Sequence, residues 1–453
     1  MTTDNYKNCS DNNRICVPET TLPRVVVVGG GFAGLSFIKQ LKNKPVQLIL
    51  IDKGNHHQFL PLLYQVATSG IAPDSIVFPF RKLFRKYKNV TYRMAEVLHV
   101  NPQKNRIETN IGVVEYDYLV LATGSTTNFF GIDSIARFGI GLKSVPDALD
   151  IRSHLLQNLE QAAITCNKDE KEALSSVVIV GGGPAGVEMA GALAEFKKYI
   201  LPKDYPELRS TNIKIHLIEA TGKLLQEMPE ELSDKTLSYL EKMDVEVLLN
   251  TAVEAYNGEI VKLNNAKFIK ASALIWTAGI KGKVPAGLDS SVLNRQNRIK
   301  VDRLNHVEGY DNIFVIGDLA VMETKKYPRG HPMVAQVAIQ QGRKLADNLL
   351  AILNNKTVDD FEYKDKGSMA TIGKKKAVAS IRNLRISGFP AWLIWSFIHL
   401  MSIIGVRNKF LIGLNWMWSY FTYDKGDRVI IRKYQPETGN HHEMIKKAFE
   451  LKN

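Results

Sequence analysis

The chain has 453 residues, 45% of them hydrophobic, and a formal charge of +13. This length predicts about three domains, and the apolar content is ample for packed cores. The three cysteines, Cys9, Cys16 and Cys166, are too few and too scattered for a disulfide framework or a metal site, which excludes both and favours a reducing, cytoplasmic compartment.

Residues 1–22 form a polar segment rich in Asn and Thr. The segment lacks the apolar run that a secretory signal requires. We therefore predict a disordered N-terminal tail over 1–22, followed by the folded chain.

A short β-branched run from Val25 to Val28 opens the folded part and predicts a strand buried on both faces. Glycines with the spacing G-x-G-x-x-G follow it. In this motif one glycine makes a tight turn, one lets the backbone approach a pyrophosphate, and one permits close packing of a helix on the strand. The motif residues are Gly29, Gly31, Phe32, Ala33 and Gly34. They predict a dinucleotide site at the start of a helix expected over 35–41.

A second apolar strand, expected over 46–51, ends at Asp52, eighteen residues beyond Gly34. A carboxylate at this point accepts the ribose hydroxyl groups of an adenosine. Asp52 and the adjacent Lys53 therefore complete the first predicted cofactor site.

The irregular segment 55–72 contains His56 and His57, which we interpret as structural rather than catalytic. A strand expected over 113–121 then runs into the sequence LATGS. Flavoproteins with two dinucleotide folds often carry an Ala-Thr-Gly turn where the first domain hands over to the second, so Thr123 and Gly124 are candidate cofactor contacts.

A second copy of the opening pattern begins at a strand expected over 176–180. Its motif residues are Gly181, Gly183, Pro184, Ala185 and Gly186. We expect a helix over 187–199, a surface loop over 201–211 and a second strand over 213–218. The internal repeat predicts two dinucleotide sites in one chain.

Glu219 stands at the end of that second strand. A carboxylate here favours the free 2′-hydroxyl of NADH and repels the 2′-phosphate of NADPH, which instead requires a nearby Arg. Ala220, Thr221 and Gly222 follow, and Lys223 is the only cation close by in the sequence. We therefore predict NADH at the second site.

Two further strand ends carry glycine turns. The strand expected over 273–280 runs into an Ala-Gly turn at Gly279, and the strand expected over 312–320 ends in Gly317 and Asp318. In flavoproteins with two dinucleotide folds such an Asp reaches the ribitol or the pyrophosphate of FAD. The first site is therefore predicted to hold FAD.

A helix expected over 332–353 carries the sequence AQVAIQQG. Gln336 and Gln340 are four residues apart and lie on one face, flanked by small alanines. Such a face either hydrogen-bonds a carbonyl ligand in a narrow apolar slot or is simply solvated, and the spacing alone leaves both interpretations open.

The last fifth of the chain combines basic charge with aromatic side chains. Residues 361–453 contain 16 Lys and Arg against 7 Asp and Glu, and four of the five Trp. No nucleic-acid-binding motif is visible, and the apolar content favours an anionic membrane surface. The apolar run 389–406 has a length that can span a bilayer. Its polar interruptions and distributed Trp residues favour helices that lie at the headgroup level instead.

These motifs resemble those of the type II NADH dehydrogenases, which are single-subunit NADH:quinone oxidoreductases that do not pump protons. The resemblance covers residues 23–432 and rests on GGGFAGL, FLPLLYQVATSG, LATGS, GGGPAGVE, IGDLA, AQVAIQQG and GSMATIGKKKAV. It implies FAD and NAD as cofactors and a quinone pocket lined by Gln336 and Gln340. It also implies that Glu188 acts in proton transfer or water positioning, although a favourable interaction with the helix dipole explains this carboxylate equally well.

Motifs and resemblance together predict an α/β fold with two Rossmann-like dinucleotide-binding domains, as in glutathione-reductase-like flavoproteins, and a C-terminal membrane-docking segment of amphipathic helices. The expected boundaries are 23–135 and 301–360 for the FAD domain, 136–300 for the NADH domain and 361–453 for the membrane-associated domain. The family further implies a peripheral or monotopic protein on the cytoplasmic side of the cell inner membrane, and a homodimer docked through the C-terminal segments.

The cysteine count argues against the disulfide reductases and the sulfide:quinone oxidoreductases of the same fold, because both need cysteines beside the flavin. Two other functions stay open. One is an NADH-dependent reductase of a small acidic redox protein, and the other is an NADH-binding redox sensor that turns over slowly.

Overall fold

The computed structural model describes residues 14–422, 426–431 and 433–434. The strands are β1 (Arg24–Val28), β2 (Gln47–Asp52), β3 (His56–Gln58), β4 (Val77–Pro79), β5 (Val90–Met94), β6 (Val97–Asn101), β7 (Arg106–Thr109), β8 (Gly112–Glu115), β9 (Tyr118–Leu121), β10 (Ser125–Thr127), β11 (Ile140–Gly141), β12 (Val177–Val180), β13 (Ile215–Ile218), β14 (Val245–Leu248), β15 (Val253–Tyr256), β16 (Ile260–Leu263), β17 (Phe268–Lys270), β18 (Ala273–Trp276), β19 (Ile280–Gly282), β20 (Ile299–Lys300), β21 (Ile313–Val315), β22 (Ala320–Val321), β23 (Ser368–Thr371), β24 (Ala377–Ile381) and β25 (Leu384–Gly388). The helices are α1 (Phe32–Gln40), α2 (Leu63–Ala67), α3 (Phe80–Phe84), α4 (Asp133–Phe138), α5 (Val145–Ile164), α6 (Lys168–Ser175), α7 (Pro184–Glu195), α8 (Leu201–Asp204), α9 (Glu230–Glu241), α10 (Ala335–Leu353), α11 (Phe389–Ser402) and α12 (Val406–Thr422).

The chain forms two compact units, each assembled from three separate stretches. The first unit contains the described residues up to Gln58 together with Phe78–Thr126 and Ile280–Asp365. The second unit contains Phe59–Val77, Thr127–Gly279 and the described residues from Lys366 onward.

A five-stranded parallel sheet in the order β21-β9-β1-β2-β5 forms the centre of the first unit. The central strand β1 places Val26 opposite Ile49 on one side and Leu119 on the other, and all three side chains are fully buried. This burial on both faces explains why β1 and β2 are continuous β-branched and leucine runs rather than alternating patterns. A three-stranded antiparallel sheet, β6-β7-β8, belongs to the same unit.

A parallel sheet of the same size, in the order β11-β18-β12-β13-β14, forms the centre of the second unit. Val178 in β12 lies opposite His216 in β13 and Leu274 in β18. The unit also contains two antiparallel sheets, β15-β16-β17 and β23-β24-β25. The predicted α/β fold with two dinucleotide-type sheets is therefore confirmed.

The beginning of the described chain differs from the predicted disordered tail. Residues 1–13 lie outside the described part, but Ile15 donates its backbone N–H to the carbonyl of Val113 over 3.0 Å and is 8% exposed. The reason is apolar packing, because Ile15 joins the hydrophobic core of the first unit. Cys16 is disulfide-bonded. This residue therefore does not support the prediction of a reducing compartment. Cys166 is free and exposed.

The compact units also divide the chain differently from the expected boundaries. Residues 59–77 lie in the second unit, where α2 packs against α5 and α7. Residues 280–300 lie in the first unit, and the C-terminal segment from 366 onward belongs to the second unit. Packing between distant stretches decides these boundaries, and local composition does not report it.

Three local expectations are corrected by the structure. Helix α1 begins at Phe32 rather than at 35, directly after the motif glycine. The strand expected over 113–121 is divided into β8 and β9 because Asp117 turns the chain and accepts a hydrogen bond from the backbone N–H of Arg24. The expected surface loop 201–211 contains α8, and its Leu201 and Leu208 are buried in a core cluster with α5.

The C-terminal apolar run is divided between α11 and α12, which have 14 and 17 residues. Helix α11 ends at Ser402, and Gly405, with φ of +92°, lies directly before the first residue of α12 in a conformation that favours glycine. Across the described ranges, no helix combines the length and the apolarity needed to cross a membrane.

Candidate active site

The first glycine motif forms a tight turn between β1 and α1. Gly29 has a φ of +102°, and a Cβ at this position would collide with the carbonyl oxygen of Ala122. A Cβ at Gly34 would collide with the carbonyl oxygen of Gly29, so glycine permits the close packing of α1 on β1. A Cβ at Gly31 would meet no atom within 4 Å. The turn is therefore closed toward the protein and open where a pyrophosphate would approach.

Phe32 and Ala33 begin α1, whose N-terminal N–H groups receive no side-chain cap from Gly31. Uncapped N–H groups and the helix dipole together favour an anion at this position. His57 stabilises the glycine turn, because its Nδ1 donates a hydrogen bond to the carbonyl of Gly30 over 3.0 Å. Burial lowers the pKa of His57 to about 4, so this ring is neutral at pH 7, which agrees with a structural role.

The carboxylate of Asp52 ends β2 beside the same turn. Its Oδ2 accepts the backbone N–H of Gly30 and its Oδ1 that of Gly54, both over 2.7 Å. Burial raises the pKa of Asp52, and these two hydrogen bonds oppose the rise. Lys53 is exposed. Its positive charge, added to burial, lowers the pKa of Lys283.

Two further strand ends reach the same edge of this sheet. Gly124, with φ of +71°, follows β9, and a Cβ there would meet no atom within 4 Å. Asp318 follows β21 and accepts a 2.6 Å hydrogen bond from Ser125 Oγ. Thr123 donates its hydroxyl to the carbonyl of Lys283. Gly317 has φ of +76°, and a Cβ would come within 2.9 Å of the Ala33 Cβ. The first unit thus gathers all its predicted cofactor residues at the carboxyl ends of β1, β2, β9 and β21, where ligands bind in open α/β sheets.

The second glycine motif repeats this geometry in the second unit. Gly181 has φ of +110°, and a Cβ would come within 2.7 Å of the Ala278 Cα. A Cβ at Gly186 would collide with the carbonyl of Gly181, whereas one at Gly183 would meet nothing within 4 Å. The other predicted members, Pro184 and Ala185, open α7, and Gly279 follows β18.

Glu219 occupies in this unit the place that Asp52 has in the first. Its Oε2 accepts the backbone N–H of Gly182 over 2.6 Å, and its Oε1 accepts the N–H and the hydroxyl of Thr221 over 2.9 and 2.7 Å. Lys223 donates to the carbonyl of Met228. The carboxylate is therefore held at the nucleotide edge of the second sheet, and the nearby cation is engaged elsewhere.

Glu188 lies on α7 and is 7% exposed. Its Oε1 accepts the backbone N–H of Thr371, at the end of β23, over 3.3 Å. Burial raises the pKa of Glu188 to about 8, and this hydrogen bond opposes the rise. The indole of Trp395 also lowers the pKa, although its Nε1 completes no hydrogen bond within the described part of the chain. The hydroxyl of Thr371 is 3.2 Å from Tyr64 Oη, so a short polar cluster surrounds the carboxyl group.

The two predicted glutamines of AQVAIQQG, Gln336 and Gln340, lie one turn apart on α10, and both are half-buried. Gln340 is joined to the backbone of Lys364 twice: its Nε2 donates to the carbonyl over 2.9 Å and its Oε1 accepts the N–H over 3.0 Å. Half of its hydrogen-bonding capacity is therefore used within the protein. Gln336 lies in the first turn of the helix, nearer to the segment that leads into it.

Two buried residues at this edge of the first unit were not among the sequence predictions. Gln341, 1% exposed, accepts the backbone N–H of Gly317 over 2.8 Å through its Oε1. Arg298, 3% exposed, donates to three backbone carbonyls that include that of Asp318. Gln341 is adjacent to the predicted Gln340, but only the fold shows that Gln341 is the buried one of the two. Arg298 belongs to no sequence motif, so no signal in the sequence points to it.

The residues present fit two dinucleotides, because each unit offers a glycine turn open at its second glycine, an uncapped helix start and a carboxylate at the second strand end. This arrangement defines a flavoprotein with separate FAD-type and pyridine-nucleotide-type units. In agreement, the family model described as pyridine nucleotide-disulphide oxidoreductase matches residues 23–342, and the model of the NDH2 C-terminal domain matches residues 366–422.

Known relatives narrow the class. The chain is 35% identical over 426 residues to the type II NADH:quinone oxidoreductase Ndh of Mycobacterium tuberculosis, covering 90% of each chain. It is 29% identical over 403 residues to the type II NADH:quinone oxidoreductase of Staphylococcus aureus, covering 86% of this chain and 96% of the relative. The chain belongs to the type II NADH:quinone oxidoreductase family, which confirms the resemblance inferred from its motifs.

Solved structures agree at the level of the fold. The structure of NDH2 from Plasmodium falciparum in complex with NADH has a TM-score of 0.82 at 21% identity, covering 90% of this chain and all of that one. The sulfide:quinone oxidoreductase of Aquifex aeolicus has a TM-score of 0.69 at 20% identity, covering 85% and 92%. The fold is thus shared with relatives of different chemistry, and the residues at each site must distinguish them.

Proposed function

We propose that the chain is an FAD-dependent enzyme that oxidises NADH and reduces a quinone without pumping protons. The observation that carries this proposal is the pair of nucleotide cradles of one design, each in its own compact unit and each with a carboxylate bonded to its glycine turn. Bound FAD supplies the redox chemistry, since it accepts a hydride and passes two electrons on. The chain itself supplies binding, placement and proton supply.

We assign FAD to the first unit and NADH to the second. In the first unit, the open side of Gly31 and the uncapped start of α1 would receive the pyrophosphate, and Asp52 the adenosine ribose. Asp318 would act toward the flavin part of the same molecule. In the second unit, Gly183 and Glu219 would bind the corresponding groups of NADH, and the Glu219 carboxylate would repel a 2′-phosphate.

Glu188 is proposed to hold one of the two protons that quinone reduction consumes. Its burial keeps the carboxyl protonated at pH 7, because burial raises the pKa to about 8. A neutral carboxyl can donate a proton from its oxygen, whereas an ionised carboxylate that only neutralised the helix dipole would have an ordinary or lowered pKa. Burial of Glu188 and its raised pKa therefore support the proton-carrying interpretation over the helix-dipole one.

We propose that α10 presents Gln336 to a quinone carbonyl. Gln340 would contribute through the part of its amide that Lys364 leaves available. Because Lys364 also holds Gln340 in place, substitution of Gln340 is expected to disturb both the ligand contact and the connection after α10.

Helices α11 and α12 are proposed to dock on an anionic membrane surface, as a peripheral or monotopic attachment. Large apolar side chains along both are exposed, among them Phe397 at 65%, Trp418 at 65% and Phe421 at 76%. Trp and basic residues at such positions suit the headgroup region. We further propose that the protein lies on the cytoplasmic side of the inner membrane, where NADH is available. We also propose a homodimer joined through these helices, which sedimentation of the detergent-solubilised protein tests.

An anaerobic experiment tests the reaction and the quinone assignment together. The purified holoenzyme is reduced with NADH until the flavin colour is lost, and its reoxidation by a soluble quinone is followed in the wild type and in Gln336→Ala and Gln340→Ala. We expect unchanged bleaching and reoxidation slowed by roughly tenfold, the effect of losing one well-placed hydrogen bond. Gln40→Ala, which removes a surface contact with Asp347, is the matched control.

The same experiment discriminates the alternatives. If quinone fails to restore the colour but a small acidic redox protein does so, the quinone assignment is wrong. If the reduced state persists with every acceptor, the redox-sensor interpretation replaces the enzyme.

A further inference from the structure

Arg298 is an almost completely buried cation in the first unit, and its Nε and Nη2 donate to backbone carbonyls. Its Nε donates to the carbonyl of Asp318 over 3.0 Å, and its Nη2 donates to the carbonyls of Ala320 and, over 3.1 Å, of His331. Burial of a guanidinium is costly unless its donors are satisfied. The planar fork of arginine can hold several acceptors at once in fixed directions, which a lysine ammonium cannot do.

The carbonyls that Arg298 joins belong to two functionally different segments. Asp318 lies in the turn after β21, which is the part of the first unit assigned to the flavin, and Ala320 follows this turn as the first residue of β22. His331 lies four residues before Ala335, the first residue of α10, and therefore leads directly to Gln336. One side chain thus connects the flavin-side turn to the segment that starts the proposed quinone helix.

Gln341 makes a second connection between the same two elements. From within α10 its Oε1 accepts the backbone N–H of Gly317 over 2.8 Å. The turn at Gly317 and Asp318 is consequently held by two side chains: Arg298 donates to the carbonyl of Asp318, and Gln341 accepts the N–H of Gly317. Both side chains are at most 3% exposed. Neither residue is part of the open surface of the glycine cradle.

We propose that Arg298, together with Gln341, is a positioning residue that fixes the distance and orientation between the flavin-binding turn at Asp318 and the start of the quinone helix. This inference rests on the proposed function. The role is geometric: the fork of Arg298 orients two backbone segments, and positive charge alone does not replace it.

The test compares Arg298→Lys and Arg298→Met with the wild type. The readouts are FAD affinity of the flavin-depleted protein, the circular dichroism of the bound flavin in the visible range, and the Michaelis constant for a soluble quinone against the rate of flavin bleaching by NADH. We expect both variants to bind FAD roughly tenfold more weakly, as for the loss of hydrogen bonds to a charged donor. The flavin dichroism should change and the quinone Michaelis constant should rise, while bleaching of the loaded enzyme stays within about twofold of the wild type.

Arg303→Lys is the matched control, because Arg303 lies in the same unit but faces the carboxylates of Asp360 and Glu362 at 3.8 and 3.6 Å. It should leave all three readouts unchanged. The proposal is overturned if Arg298→Lys has wild-type dichroism and quinone Michaelis constant, since charge alone would then suffice. Loss of thermal stability with unaltered FAD affinity and dichroism would also overturn it.

Gln341 keeps the proposal testable if the Arg298 variants fail to fold. Gln341→Glu retains the acceptor for the N–H of Gly317 and should keep the flavin dichroism, whereas Gln341→Leu should change it. Equal behaviour of the two variants contradicts the proposal.

Asp318→Ala separates failure of this inference from failure of the proposed function. If Asp318→Ala leaves FAD affinity intact, the assignment of the turn to the flavin is wrong, whatever Arg298 does. If Asp318→Ala weakens FAD binding and the Arg298 and Gln341 variants do not, only the positioning role is wrong.

Discussion

The carboxyl group of Glu188 couples proton affinity to folding. An exposed glutamate has a pKa of 4.5, and burial raises that of Glu188 to about 8. Between these two values the native chain binds more protons at this site than the unfolded chain does. Stability must therefore fall as the pH rises from about 4.5 to about 8, because the unfolded state gains by ionising while the native state does not.

Glu188→Gln removes this titration and is expected to gain stability relative to the wild type as the pH rises. The free energy of unfolding of the variant minus that of the wild type should increase between pH 5 and pH 8 by an amount on the order of 4 kcal/mol. Urea unfolding followed by far-ultraviolet circular dichroism at both pH values measures the difference.

Glu241→Gln, on the exposed side of α9, is the matched control for replacing a glutamate by a glutamine and is measured at the same two pH values. A difference for Glu188→Gln that is equal at pH 5 and pH 8 would mean that the carboxyl is ionised in the folded protein. In that case the proton-carrying role proposed for it would be lost as well.

At the same scale, the candidate site could be predicted only in part. The glycines follow from their spacing because the turn geometry demands glycine at particular intervals. The two carboxylates, Asp52 and Glu219, follow from their place at the end of the second strand of each repeat. The partners of Glu188 do not follow, since Thr371 is 183 residues away in the sequence and Trp395 is still farther. Contacts between distant stretches leave no periodic signal in either stretch.

Helix α7 shows how one element depends on the absence of a side chain. Gly191 lies in the middle of α7, three residues after Glu188, and a Cβ there would come within 2.5 Å of the backbone nitrogen of Gly373. The contact sets how closely β23 and its following turn approach the helix. It thereby also sets the position of the Thr371 N–H that Glu188 accepts.

Gly191→Ala is expected to destabilise the protein by about 1–3 kcal/mol, because overpacking against backbone outweighs the better helix propensity of alanine. Gly413→Ala provides the matched helical control in α12, where a Cβ would meet the Leu400 Cδ2 at 3.7 Å, an ordinary contact distance. This control should be neutral or stabilise by up to about 1 kcal/mol. Urea midpoints of the two variants decide: similar shifts in both would show that the approach of β23 to α7 is not tight.

The elements themselves were predictable where one physical signal dominated. Continuous apolar runs identified β1, β2, β12 and β21, because a strand buried on both faces has no polar side. The prediction of a surface loop over 201–211 is wrong. Its two prolines are typical of a loop, but Leu201 and Leu208 are buried in a hydrophobic core cluster. A helix as short as α8 has too few residues to show a helical hydrophobic pattern, so the prolines dominate the prediction.

At the scale of the whole molecule, charge and exposed apolar surface indicate how it meets a bilayer. Much of the excess of +13 lies after residue 360, as does the row of exposed aromatic side chains on α11 and α12. Burying one such side chain in the interface is worth about 1.5–3 kcal/mol. Basic residues near an anionic leaflet add about 1 kcal/mol each.

Phe397→Asp and Trp418→Asp are each expected to weaken binding to vesicles of phosphatidylglycerol and phosphatidylcholine by roughly tenfold or more. Co-sedimentation measures the partition, and turnover with a water-soluble quinone verifies that the active site is intact. Phe268→Asp removes an aromatic side chain that is 44% exposed on the β17 hairpin, and it should leave binding unchanged. An equal loss in this control would show that the helices have no special role in docking.

The two dinucleotide folds were predictable at this scale because the second motif repeats the first. The assembly of each unit from separate stretches of the chain was not predictable, since α2 and the C-terminal sheet β23-β24-β25 show no local feature that assigns them to the second unit. Only packing contacts, such as those of α2 with α5 and of β24 with α9, decide the assignment.

The interleaving of the two units has a consequence for synthesis on the ribosome. The central sheet of the first unit lacks β21 until residue 315 has emerged, and the second unit lacks β23-β25 until residue 388 has emerged. Neither unit can therefore finish folding while the middle of the chain is being translated, and the nascent polypeptide exposes incomplete sheet edges for most of its elongation. Protection by a chaperone during translation, and rapid proteolysis of prematurely terminated chains, are the expected fates of this topology.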